Sequence, residues 1–348
     1  MYMRSIRLCA NQLQKGETMK ISLLRNSLFR ERYIRRNKDI DLYTHSMKNP
    51  LGGGAAYRLK CKLLQKLGAS LFRLRFLLGK VDIPQIEIVL TTKCTLRCES
   101  CANLMQYFSN DKQFSTDFAH IKANLDTILR QVDSIRLFNI LGGEPLLFKE
   151  LPQLIDYLTK EPKIKAVELI TNATIPFKDE LLKSLQHPKV RVAMSDYSSN
   201  QALAKTLHQQ EIIQSLQSFG INYIVRDSAA VWKDIGKIYK RNRSQEDVRR
   251  NYLACKMPCV SLLCNDKDKP SQATISVCPI ASALTKLHNI DEFEGDFVRV
   301  DSKNFREDIV RFYAQDYYKA CDYCPNKWEQ AKPIPPAIQT DQTLSLTP

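Results

Sequence analysis

The sequence predicts an α/β chain: parallel βα units forming an open or partial barrel, followed by a small cysteine-rich appendage. Three observations predict it. Short Ile/Val-rich runs alternate with amphipathic helical stretches from residue 85 to residue 225, the signature of parallel βα units. The pattern stops after residue 228. Nine of the eleven cysteines then fall into three groups, at 94–101, 255–278 and 321–324.

The elements follow in order. Residues 1–56 are polar and basic, with "RERYIRRNK" at 30–38, and read as weakly ordered; Met19 is an alternative start. Residues 57–84 contain a helix, "YRLKCKLLQKLGASLFRLRFLLG", with Gly79 and Pro84 as its stop. The expectation is a helix packed on the main domain through its Leu and Phe residues. A basic amphipathic surface for membrane or nucleic acid is the alternative.

The core covers 85–231. "QIEIVLT" (85–91) reads as a strand, and 115–132 as a helix capped by Ser115 or Thr116 with Phe118, Ile121, Leu125 and Ile128 on one face. Strands follow at 135–141, 166–171, 190–195 and 221–225, with helices at 149–160, 178–186 and 200–220 between them. Parallel βα folds place their sites at the C-terminal ends of strands. Cys94, Gly142, Thr171 and Ser195 all fall at or just after such ends. Residues 232–330 form the cysteine-rich region, charged and helix-like at 232–254, and 331–348 read from composition as a disordered tail.

The net charge of +15 suits an anionic partner without choosing one. No run of 18 apolar residues occurs and the first twenty residues lack an apolar signal core, which predicts a cytoplasmic chain without a transmembrane segment. Clustered thiols in such a chain read as metal ligands before disulfides. Clustered Lys and Arg without interleaved aromatics form no stacking platform, so nucleic acid is not the expected partner.

Cys94, Cys98 and Cys101 follow the first strand, and "GGEP" (142–145) follows the second. Three thiols are one too few for a closed tetrahedral site. An iron–sulfur cube held by three keeps one iron open. In this spacing and order the two motifs resemble those of the radical S-adenosylmethionine (radical SAM) enzymes, over 85–226 and more loosely over 255–325. The resemblance implies a partial (β/α)6 barrel of the radical SAM type. It implies a 4Fe-4S cluster on Cys94, Cys98 and Cys101 whose fourth iron binds S-adenosylmethionine, cleaved reductively to a 5′-deoxyadenosyl radical that takes hydrogen from the substrate. Carried over residue by residue, Gly142 and Gly143 would admit the methionine moiety, and Glu144 would meet its amino group or fix the loop. Asn172 in "TNAT", Ser195 and Asp196 in "MSDYS", and Arg226 after the fifth strand would face the cofactor. The residue before the third cysteine, often aromatic in the family, is Ser100, which leaves adenine packing to residues such as Tyr107 or Phe108.

Cys264, Cys278, Cys321 and Cys324 resemble the ligand set of a twitch/SPASM-like auxiliary 4Fe-4S cluster, with Cys255 or Cys259 as substitutes for Cys264 and a structural zinc as the other occupant. Cys9 and Cys61 read as plain small residues. The expected function is a radical SAM oxidoreductase acting on a small-molecule or carbohydrate-type substrate, reduced by a flavodoxin or ferredoxin. A peptide or protein maturase is the second reading, and a non-enzymatic iron–sulfur or zinc regulator of nucleic acid the third.

Overall fold

The computed structural model describes residues 17–48, 54–255, 260–264, 273–325 and 331–347. Cys9, Cys259 and the whole polar turn after Cys264 (265–272) lie outside the described residues.

Eight strands form one sheet in the order β5-β4-β3-β2-β1-β6-β7-β8. They are β1 Asp82–Val89, β2 Ser134–Leu141, β3 Val167–Thr171, β4 Val190–Asp196, β5 Tyr223–Asp227, β6 Val260–Leu263, β7 Thr274–Ser276 and β8 Phe297–Arg299. The first six are parallel; β7 and β8 are antiparallel. After β5 the chain crosses back to pair β6 with β1, so the hairpin of the cysteine-rich region extends the main sheet. Pro84 is tolerated near the start of β1 rather than ending a helix ahead of it.

The two faces of the sheet differ sharply. One carries the register rows Ile86–Phe138–Val167–Val190 and Ile88–Ile140–Leu169–Val192, all at or near zero exposure. Helices Phe118–Gln131, Leu151–Lys160 and Asp179–Leu185 bury their apolar stripes in the same core. The first is capped by Asp117, whose carboxylate accepts the His120 N–H at 2.9 Å, one residue after Thr116 and two after Ser115, the caps expected from sequence. The other face is polar: Gln85 and Glu87 on β1, Asn139 on β2, Glu168 on β3, Arg191 on β4 and Arg226 on β5.

That polar face is covered by the N-terminal segment, which corrects the reading of residues 1–56 as weakly ordered: 17–48 are helical almost throughout. Charge had hidden an inner ridge of Phe29, Tyr33, Ile34, Asn37, Ile40, Thr44 and Met47, all buried. Tyr33 stacks on Phe29 at 4.8 Å and its hydroxyl accepts the Asp82 N–H at 2.8 Å. Tyr43 donates to Glu168 at 2.9 Å, and Arg36 to Gln85 at 2.9 Å.

Three further expectations change. The helix expected over 200–220 is a short turn at Gln201–Leu203 and then a helix at Gln209–Ser218, because the intervening loop bonds to the β3 loop through His208 N and Ala173 O at 2.8 Å. Within 232–254 only Gln245–Leu253 is helical, capped by Ser244. The helix Ala55–Leu77 packs through Phe72 and Phe76; of its leucines Leu64 is half-buried and the others are exposed.

Candidate active site

The first three cysteines sit on a loop that leaves the C-terminal end of β1, fastened by Thr91 and Thr92. Thr91 Oγ1 donates to Phe114 O at 3.1 Å and accepts the Lys93 N–H at 3.1 Å. Thr92 Oγ1 accepts the Phe114 N–H at 2.9 Å. Each sulfur is met by N–H groups. Cys94 Sγ receives Leu96 N at 3.4 Å and Asn172 Nδ2 at 3.6 Å. Cys98 Sγ receives Gln339 Nε2 at 3.6 Å. Cys101 receives the backbone N–H groups of Met105, Asn103 and Leu104, a wrap closed by Leu104 in the left-handed region at φ 57°. Burial pushes the Cys94 and Cys98 thiols up to about 12. Such thiols ionise only beside a positive centre, and the N–H groups aimed at them suit thiolates.

The loop after β2 packs against this one at backbone distance. A Cβ on Gly142 would lie 2.7 Å from Thr91 O, and one on Gly143 only 2.1 Å from Lys93 O. The glycines therefore admit the neighbouring cysteine loop, joined by Gly143 N to Thr91 O at 2.6 Å and Glu144 N to Lys93 O at 2.9 Å. Glu144 is fully buried and bonded wholly within the protein, accepting from Leu146 N at 3.2 Å, Thr171 Oγ1 at 2.8 Å and Asn172 N at 2.9 Å. Burial raises its carboxyl to about 7 against those three donors. It ties the second loop to the end of β3. Asn172 in turn holds Cys94 and Thr95, the latter at 3.0 Å.

A third contact was not anticipated. Residues 331–347, read from composition as disordered, run as a strap across the cysteine loop. Glu99 N donates to Ile338 O at 2.8 Å, Thr340 N to Arg97 O at 2.9 Å, and Arg97 N to Gln339 Oε1 at 2.7 Å. Ala337 is fully buried among Leu96, Cys98, Tyr197 and Leu203. A polar, proline-rich segment can be ordered by backbone bonds to another loop, and composition carries no sign of them.

Of the other expected residues, Ser195 and Asp196 are half-buried at the end of β4; Asp196 accepts the Ser198 N–H at 2.9 Å, and Ser195 bonds Tyr197. Arg226 points elsewhere: it pairs with Glu168 and Tyr43 in the polar layer. Phe108 is buried against Phe114, and the Tyr107 hydroxyl accepts the Ile238 N–H at 3.0 Å. The aromatics beside the thiols are instead Tyr197 and Trp232, edge to face at 5.6 Å. Tyr197 lies inside "MSDYS", so its motif was visible; Trp232 and Gln339 carried no sequence signal.

The second thiol set regroups. Cys264 follows β6 and Cys278 follows β7, and because these strands are antiparallel the two lie at opposite ends of the hairpin. Cys264 is fully buried beside Asn124. Cys278, Cys321 and Cys324 lie within electrostatic reach of one another, and Cys255 acts on all three. Burial raises their pKa values, that of Cys324 to about 12. The loop carrying Cys321 and Cys324 is held by Arg243 to Cys324 O at 2.8 Å, Asn251 to Cys321 O at 3.0 Å, and Asp322 accepting Asn242 N at 2.8 Å. Among the described residues no three His, Cys, Asp or Glu side chains are gathered tightly enough to grip a single metal ion. Next to Cys255 a cavity of about 420 Å³ is lined by Arg32, Arg36, Gln85, Tyr252 and Tyr318, with none of the first three cysteines on its wall.

Residues 88–216 match the Radical SAM superfamily. The GTP 3',8-cyclase of Syntrophomonas wolfei is 31% identical over 100 residues, 27% of this chain and 28% of that protein. The GTP 3',8-cyclase of Aquifex aeolicus is 33% identical over 134 residues, 36% of this chain and 39% of that protein. The chain thus aligns with under two fifths of the length of either relative. Among solved structures, BtrN in complex with AdoMet and 2-DOIA covers 75% of this chain and 97% of its own at 12% identity and a TM-score of 0.44. Streptococcus suis SuiB covers 50% and 39% at 17% identity and a TM-score of 0.34.

Proposed function

This chain belongs to the radical SAM superfamily, and on that premise we propose that it cleaves S-adenosylmethionine reductively and takes hydrogen from a small, anionic metabolite, of carbohydrate or nucleotide type. The observation that carries the chemistry is the three-thiol loop at the end of β1, each sulfur met by N–H donors and the loop locked to Gly142 and Gly143. Cys94, Cys98 and Cys101 would hold a 4Fe-4S cluster. When bound, the cluster supplies the electron that splits S-adenosylmethionine to methionine and a 5′-deoxyadenosyl radical. Around it, Gly143 and Glu144 fix Cys94, Asn172 holds Cys94 and Thr95, and the strap at 331–347 keeps water from Cys98. Tyr197 and Trp232 offer the apolar wall against which an adenine can pack. A low-potential donor of flavodoxin or ferredoxin type would suit the basic surface.

The small-molecule reading is supported by the net charge of +15. GTP, in the name of the curated relatives, is such an anion. The second thiol set is read as the seat of an auxiliary cluster on Cys255, Cys278, Cys321 and Cys324, with Cys264 replaced.

The test is anaerobic reconstitution followed by iron, sulfide and zinc counts and an assay of 5′-deoxyadenosine release with dithionite. About eight irons are expected, falling to about four in a Cys94/Cys98/Cys101→Ala variant that releases no 5′-deoxyadenosine. Cys255→Ser should lose the second cluster and Cys264→Ser should keep it. A cluster-loaded protein that releases none, even with metabolite extracts added, sinks the enzymatic reading. Zinc in place of the second cluster makes that site structural.

A further inference from the structure

The helix Ala55–Leu77 has two apolar faces, and the fold uses one. Gly68, Phe72 and Phe76 are buried, and Gly68 lets the Lys38 side chain lie against the helix where a Cβ would come within 2.6 Å of its Cγ. The opposite face carries Leu59, Leu63, Leu67, Leu71, Leu74 and Leu77, continued by Leu78, with exposures between 45% and 70%. At about 100° per residue, these seven side chains fall within an arc of roughly 120°. Single exposed leucines are ordinary on a protein surface; a ladder along a whole helix is not.

The same helix carries Arg58, Lys60, Lys62, Lys66, Arg73 and Arg75 and no acidic residue. By the same rotation Lys62, Lys66 and Arg73 line one edge of the leucine arc. None of the described helices is long and apolar enough to cross a bilayer, so this one can lie on a membrane without entering it. A helix of 23 residues is about 35 Å long.

We propose that this face seats the protein on a membrane rich in anionic lipid, the leucines at the acyl boundary and the flanking bases against headgroup phosphates. Charge decides against a second copy of the chain as the occupant. Two such helices laid face to face would bring rows of Lys and Arg together with no carboxylate on either helix to pair them. Anionic lipid complements both parts of the face at once, and the net charge of +15 acts in the same direction.

The test uses the full chain with vesicles of phosphatidylcholine alone and of phosphatidylcholine with phosphatidylglycerol. The wild type should float with the anionic vesicles, far less with neutral ones, and be released by salt. Leu67→Glu/Leu71→Glu should weaken flotation by at least about tenfold, since two leucines can no longer be buried. Lys62→Gln/Lys66→Gln/Arg73→Gln should weaken it by a similar factor on anionic vesicles only. Both variants leave the thermal midpoint in place, because the side chains they change are already in water. Leu71→Trp gives an independent reading: its fluorescence should shift to the blue when anionic vesicles are added. No flotation and no blue shift overturn the proposal. So does a dimer in free solution that Leu67→Glu/Leu71→Glu splits while vesicles capture neither form; the leucine face would then belong to a second copy.

Discussion

Replacing Gly143 by alanine should unseat Cys94. The new methyl group would stand 2.1 Å from Lys93 O, 2.6 Å from the Lys93 carbonyl carbon and 3.0 Å from Cys94 Cβ, against ordinary contact at 3.4–4 Å. The obstacle is backbone, so no side chain can swing away; the two loops must part by roughly 1 Å or more. Parting them breaks Gly143 N to Thr91 O and Glu144 N to Lys93 O. Two lost hydrogen bonds at about 1 kcal/mol each, with overpacking of about 1–3 kcal/mol, give a local cost of roughly 3–5 kcal/mol. A displacement of about 1 Å at a reacting site costs about a hundredfold in rate. Gly54→Ala is the control, since nothing lies within 4 Å of its Cβ position. Iron content and 5′-deoxyadenosine release are measured for both. If Gly143→Ala loads iron like the wild type and reacts within about threefold of it, the loops do not fix the cysteine and the reasoning fails.

Gln339→Leu removes the N–H directed at Cys98 Sγ at 3.6 Å. An N–H on a cluster thiolate favours the reduced form, so its loss should lower the midpoint potential of the first cluster by on the order of 50 mV, followed by electron paramagnetic resonance; an unchanged or higher potential contradicts this. Glu168 is fully buried and faces Arg191 at 2.9 Å, Tyr43 at 2.9 Å and Arg226. Glu168→Gln leaves a buried guanidinium without its counter-charge and should cost about 3–5 kcal/mol in urea unfolding; a cost under about 1 kcal/mol would show the layer to be wet and adaptable. Burial raises the Asp133 carboxyl, but Val81 N–H, Arg306 and Lys80 outweigh it and hold it at about 2. A depressed folded value contributes stability above the unfolded value and loses it as pH falls through the folded one. Between pH 3.8 and about 2 the protein should therefore lose roughly 2 kcal/mol through this group, and Asp133→Asn should flatten that segment of the acid titration; an unchanged titration would place the acid sensitivity elsewhere.

The strands and their ends were legible because burial on a parallel sheet demands Ile and Val in a run, and Cys94, Gly142, Thr171 and Ser195 stand where those runs stop. The crossing of β6 back to β1 was not legible: pairing partners distant in sequence leave no local periodicity. The N-terminal helices were misread because an exposed face rich in Arg and Lys outvoted one buried residue in every three or four. In the second thiol set, spacing put Cys264 and Cys278 on a hairpin correctly but could not say which end each occupies. Antiparallel pairing of Ser261 with Ser276 decides it, and puts Cys278 and Cys255 together. Arg226 illustrates the same limit, since a cation after a strand serves a ligand or a buried carboxylate equally well until Glu168 is located.

The strap has a consequence for how the protein is made. Gln339 meets Cys98 from 241 residues further along the chain. At synthesis rates of about 5–20 residues per second, the ribosome delivers the cysteine loop tens of seconds before the segment that closes over it. Through that interval the nascent loop is open on the side the finished molecule covers, and a scaffold protein can hand over iron and sulfide there. Once Ala337 settles among Leu96, Cys98, Tyr197 and Leu203, Cys98 is covered from that side. On the proposal that Cys94, Cys98 and Cys101 hold a cluster, loading it into the finished molecule would meet a covered Cys98 that assembly on the ribosome does not.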